Sequence, residues 1–216
     1  WQFCPQIPYL FSWTPAVDLN DSTLSNPIAT PTAPTTYFVT VTDPTFNCTS
    51  TAAIDVNVYP LPVVSMAPLN NLCLDSSPLS LTGGTPTGGT YSGTGVSNNV
   101  FYPAVAGIGT FMIYYSFTDN NGCGNIDSTI LNVYPLPVVT MPSFPVMCET
   151  SYPLNLTTGA PTGGVYSGAR VTANVFDPSA VGDGIYGMTY TYTDVNGCSN
   201  TACRNITVNQ SPLADA

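Results

Sequence analysis

The chain has 216 residues, 44% of them hydrophobic and 11% aromatic, which is enough to pack a core and excludes a disordered chain. Only 6% are charged, the net charge is -10, and there are two arginines, no lysine and no histidine. Nucleic acid and anionic membrane surfaces, which need clustered Lys and Arg, are therefore excluded as partners, and no run approaches the roughly 20 apolar residues that direct membrane insertion by a helix requires.

The chain opens on WQFCPQ, which reads as mid-domain sequence with no signal peptide before it, so an excerpt of a longer protein is expected. Alternating stretches follow, TYFVTVTD and TAAIDVNV, on either side of Cys48. The heptapeptide VYPLPVV then appears at Val58 to Val64 and returns 75 positions later at Val133 to Val139. Proline fixes its own φ and restricts the residue before it to extended conformations, so Tyr-Pro-Leu-Pro is expected to be a semi-rigid joint.

The same shift of 75 places Cys73 on Cys148, Cys48 on Cys123 and Cys123 on Cys198. It also lays TGGTPTGGTYSG on TTGAPTGGVYSG and TDNNGC on TDVNGC. Residues 61–135 and 136–210 are thus read as two copies of one unit, 1–60 as a shorter relative, and 211–216 as the start of the next linker. In the second unit Phe111, Ile113, Tyr115 and Phe117 share one face of a strand, and Tyr186, Met188, Tyr190 and Tyr192 repeat the pattern. Short strands, close turn signals and no helical period predict an all-β chain of tandem immunoglobulin-like sandwiches arranged end to end. At about 3.4 Å per residue the three would make a rod of roughly 100 Å.

One disulfide per unit is the simple pairing: Cys4 with Cys48, Cys73 with Cys123, and Cys148 with Cys198. Trp13 would then pack on the first bridge. A zinc site fits badly, since no CxxC spacing and no histidine exist, and bridges imply an extracellular, oxidising compartment. Cys203 is left over on the opposite strand face, as a free thiol, a bridge within its unit after a bulge, or a link to a neighbouring chain. Asp119 and Asp194, ahead of Asn-Gly pairs, predict tight turns rather than calcium sites, which need several converging oxygens. The Gly-rich motifs lack the Lys and helix of a phosphate loop and are read as bulges or turns. Scattered carboxylates and the absence of histidine argue against catalysis, and no cofactor or metal is expected. Asn47, Asn155 and Asn205 match the N-glycosylation pattern at near-chance frequency.

FSWTPAVDL, NPIATPTAPTTYFVTVTD and GGTYSGTGVSNNVFYPAVAGIGTFMIYYSFTDNNGC resemble, over nearly the whole chain, repeat units of long surface and gliding-motility adhesins of Bacteroidota. The resemblance implies immunoglobulin-like or PKD-like folds, type IX secretion, and a cell-surface role in filaments or adhesion. It also implies O-glycans at Asp-Ser-Thr, here at Ser22 and Ser128. Two departures are Cys203 and the three residues before Cys4 where the other units have twelve, which leaves the first strand missing. That edge is explained by excision or by a strand from a neighbour. The expected role is a structural repeat that associates with copies of itself. A module binding glycans or a target cell surface, and a stalk beside an enzyme domain, are the alternatives.

Overall fold

The structure, a computed structural model, describes residues 9–212. These are all β apart from a helical turn at Pro103–Ala106 and a 3-10 turn at Pro178–Ala180. They form two compact units: the described residues up to Val63 together with Phe117–Asn125, and Val64–Ser116 together with the residues from Ile126 onward. This division cuts across the 75-residue period, because the 117–125 hairpin groups with the residues before it.

In the first unit Leu10–Thr14, Thr35–Thr42 and Thr49–Val56 make a three-stranded antiparallel meander. Trp13 lies opposite Val39 and Tyr37 opposite Ile54. Tyr37 is buried, and its hydroxyl donates to the Val17 carbonyl at 3.3 Å.

The second unit contains the same pair of sheets twice. A four-stranded sheet orders Leu72–Cys73, Gly124–Tyr134, Gly109–Thr118 and Thr90–Ser92, and a three-stranded sheet orders Leu79–Ser80, Val100–Phe101 and Val96–Ser97. The counterparts are Met147–Cys148, Ser199–Asn209, Gly184–Thr193 and Val165–Gly168, with Leu154–Asn155, Val175–Phe176 and Val171–Thr172. The period-two pattern sets the faces: Ile113 and Tyr115 are buried while Met112 and Tyr114 are exposed. Leu81, Phe101, Ile113, Leu131 and Val133 form one core, and Leu156, Phe176, Met188, Ile206 and Val208 hold the equivalent places in the other.

The glycine-rich motifs seat a tyrosine. The Tyr115 hydroxyl donates to the Pro86 carbonyl and accepts from the Gly89 amide at 2.8 Å; Tyr190 does the same with Pro161 and Gly164. A Cβ on Gly89 would lie 2.3 Å from the Ser116 carbonyl oxygen, so only glycine lets the loop close over the ring. Next to it, Asn98 and Asn99, both at positive φ, turn the chain between Val96–Ser97 and Val100–Phe101, as a two-residue hairpin requires. The following repeat places Ala173 at φ 50 in the position of Asn98.

Two outcomes follow for urea denaturation of the intact chain. Tyr115→Phe should lose about 1–3 kcal/mol, because the Gly89 amide and Pro86 carbonyl lose their partner, and Gly89→Ala about as much through overpacking. Ala173→Asn should instead stabilise by about 1 kcal/mol, since it relieves a left-handed alanine.

Candidate functional site

The turns that carry Cys48, Cys123 and Cys198 are built alike. In TDVNGC the Asp194 carboxylate accepts from the amides of Asn196 and Cys198, each at 2.9 Å, while the Asp194 amide donates to the Cys198 carbonyl at 2.9 Å. Asp119 holds Asn121 and Cys123 in the same way. Asp43 closes a turn one residue longer, its amide bonded to the Cys48 carbonyl at 2.9 Å and its carboxylate accepting from Thr45. These carboxylates serve their own backbone, which is the turn chemistry their spacing predicts. Each turn delivers its cysteine to the residue just before a long strand, at Thr49, Gly124 or Ser199.

The first cysteine of each 75-residue repeat is placed at the other end of that strand. Cys73 pairs in parallel with Tyr134, and Cys148 with Asn209. Cys123 and Tyr134 are eleven residues apart in sequence, which along a strand is roughly 36 Å. A disulfide needs Cα atoms within about 7 Å, so Cys73 cannot reach Cys123, and Cys148 cannot reach Cys198.

The structure corrects the expected pairing accordingly. Cys73 is bonded to Cys198 across 125 residues of sequence, with Cα atoms 5.6 Å apart. Cys48, Cys123, Cys148 and Cys203 carry free thiols; Cys4 lies outside the described residues. The bridge thus joins the trailing end of one repeat to the leading hairpin of the next. Chain-entropy reasoning gives a closed loop of this length about 5 kcal/mol. Trp13 does not rest on a disulfide: its indole N–H donates to the Leu24 carbonyl at 3.0 Å, and its ring lines an apolar pocket with Leu19, Pro27, Tyr37 and Val56.

A second contact at the joint was not read from the sequence. The Asn200 side-chain amide donates to the Pro137 carbonyl at 2.9 Å, tying the hairpin strand to the linker, and Asn125 donates to the Pro62 carbonyl at 2.9 Å in the first linker. The signal was present as an asparagine two residues after Cys123 and Cys198 alike. Proline carbonyls are available here because the linker residues 135–139 form no ladder.

The remaining predicted positions are scattered. Cys203 is exposed opposite Thr189, whose hydroxyl lies 3.6 Å from its sulfur. Ser22 is half-buried and Ser128 exposed. The Thr23 hydroxyl and then its backbone amide bond the Asp21 carboxylate and hold it below its ordinary value of 3.8. Among the described residues no three of Cys, Asp, Glu and His gather at one place, and no helix is long and apolar enough to cross a membrane.

No family model matches the chain, and no curated protein matches it. Among solved structures it is similar to a Ca2+-stabilized adhesin that helps an Antarctic bacterium reach out and bind ice, at 12% identity over 83% of this chain and 58% of that one, with a TM-score of 0.39. It is also similar to Sidekick-1 immunoglobulin domains 1–4, at 14% identity over 95% of this chain and 68% of that one, TM-score 0.30. A third is the Bacteroides ovatus mixed-linkage glucan protein SGBP-B in complex with a heptasaccharide, at 18% identity over 70% and 45%, TM-score 0.24. The chain spans 58% of the length of the ice-binding adhesin.

Cyanogen bromide cleavage without reduction should leave the fragment holding Cys73 attached to the one holding Cys198 and detached from the one holding Cys123. Because the Asp21 carboxyl is depressed in the folded state, any stability it carries is present above its ordinary value of 3.8 and lost as pH falls through the folded pKa. In an NMR titration, Thr23→Ala should raise its midpoint.

Proposed function

We propose that the chain is a structural segment of an extracellular surface filament or adhesin, in which a shorter sandwich, 1–60, and two of 75 residues, 61–135 and 136–210, are joined end to end and associate with copies of themselves. The observation that carries this reading is the Cys73–Cys198 bridge across the linker residues 135–139, with Asn200 fastened to that linker. A bridge inside a domain stabilises that domain; a bridge between domains fixes the angle of the joint, and a fixed joint is of use to a part that transmits force or holds a repeat distance. Such a bond also needs an oxidising compartment, which favours export to the cell surface. Sparse charge, 6% of residues, leaves many Thr, Ser, Asn and Tyr side chains to hydrogen-bond a second copy, and salt screens the repulsion between chains of net charge -10.

Adhesion to a glycan or a target cell surface is the second reading, and two side chains favour it. Phe46, at the tip of the first hairpin, is 73% exposed, and Tyr152, in a loop, is 91% exposed. Aromatic rings at loop tips suit stacking on sugars better than core packing.

Electron microscopy of the purified, oxidised chain distinguishes the two. Self-association predicts regular multi-chain fibres whose formation is insensitive to Phe46→Ala and Tyr152→Ala. Isolated particles at every concentration, with glycan-array binding lost in those variants, would contradict it.

A further inference from the structure

The two 75-residue repeats differ on one face of their larger sheet. In Gly109–Thr118 of the earlier repeat, Ile113 and Tyr115 are buried, so Met112 and Tyr114 point away from the core. In the neighbouring strand Gly124–Tyr134, Leu131 and Val133 are buried, and Ile126 and Ile130 point to the same outer side as Met112 and Tyr114. The Thr110 hydroxyl, which donates to Asn132 Oδ1 at 2.7 Å, fixes the register of the pair on that side. Met112, Tyr114, Ile126 and Ile130 are 42%, 41%, 56% and 53% exposed.

The following repeat builds the same strand pair without these side chains. A shift of 75 puts Gly187 at the place of Met112, Thr189 at Tyr114, Thr201 at Ile126 and Asn205 at Ile130. Its register pairs Gly187 with Asn205, which sets Met112 directly beside Ile130 in the earlier repeat. The fold therefore does not need apolar groups at these four positions, and a contiguous apolar patch that folding does not require marks a surface for contact.

We propose that this face is where a second copy of the chain docks, the two sheets packed face to face about a two-fold axis. The proposal rests on the self-association reading and names its contact. Charge selects a second copy as the occupant. Two-fold packing sets a face against itself, so every charge on it would meet its own like. The chain carries 12 acidic residues, yet every second residue from 110 to 116 and from 126 to 132, the outward set, is uncharged. Size agrees with this. With strands about 4.8 Å apart and about 3.4 Å per residue, the face spans roughly 400 Å² in projection. Two such faces, with the relief of their side chains, remove on the order of 1,000 Å² from water, where specific contacts begin. A contact of that size is reversible, with the sheets about 10 Å apart and Met112 and Ile130 interleaved with their copies.

The test is sedimentation velocity of the intact, oxidised chain, its free thiols alkylated, over a rising concentration series at physiological salt. The expected result is a reversible monomer–dimer equilibrium. Tyr114→Thr and Ile130→Asn install the residues that the following repeat already carries, and each should raise the dissociation constant tenfold or more at an unchanged urea midpoint. Met112→Thr carries the same expectation should either of them lower that midpoint. Asn205→Lys, at the corresponding place on the other repeat, should leave the equilibrium unchanged. A dimer whose dissociation constant ignores the substitutions at 112, 114 and 130, or rises with Asn205→Lys, overturns this face and leaves self-association standing. A chain that stays monomeric and forms no fibres at any concentration overturns both.

Discussion

The length of one strand governs how this molecule is held together. A strand of eleven residues runs from Gly124 to Tyr134, with a cysteine before its first residue and another beside its last. Extended backbone keeps those two sulfurs a full strand apart, so they cannot bond to each other: Cys73 finds its partner in the next repeat and Cys123 keeps a free thiol. The Cys73–Cys198 bond is the consequence. A bond expected inside one repeat instead joins two.

Other features act on the same joint. The prolines of the linker limit its backbone to extended forms, Asn200 anchors it through the Pro137 carbonyl, and the aspartate-closed turn fixes where the hairpin cysteine stands. Within each repeat the seated tyrosines, Tyr115 and Tyr190, tie the glycine-rich loop to the strand that leads into that hairpin. Interior packing and joint geometry are thus coupled through a single strand pair, Gly184–Thr193 with Ser199–Asn209 in the last repeat.

Much of the fold was legible because its signals are local or periodic. Alternation placed Ile113 and Tyr115 inside, and the spacing of 75 announced equivalent repeats. Turn chemistry identified the Asp194 hairpin. The bond pattern was not legible, since a spacing of 50 residues between cysteines says nothing about which end of a sandwich each occupies. That depends on a two-residue parallel strand, Leu72–Cys73, too short to leave a periodic trace. The role of the glycines was hidden for a related reason: Gly89 is shaped by Tyr115, which lies 26 residues away.

The claim that the covalent bond spans a joint can be tested by cutting the joint itself. A protease recognition sequence placed between Pro137 and Val138 would be cleaved in the folded, oxidised chain and the products separated without reductant. A bridge between repeats predicts that the two halves stay together as one species and part only on reduction. Halves that separate at once, each retaining its own disulfide, would contradict the account.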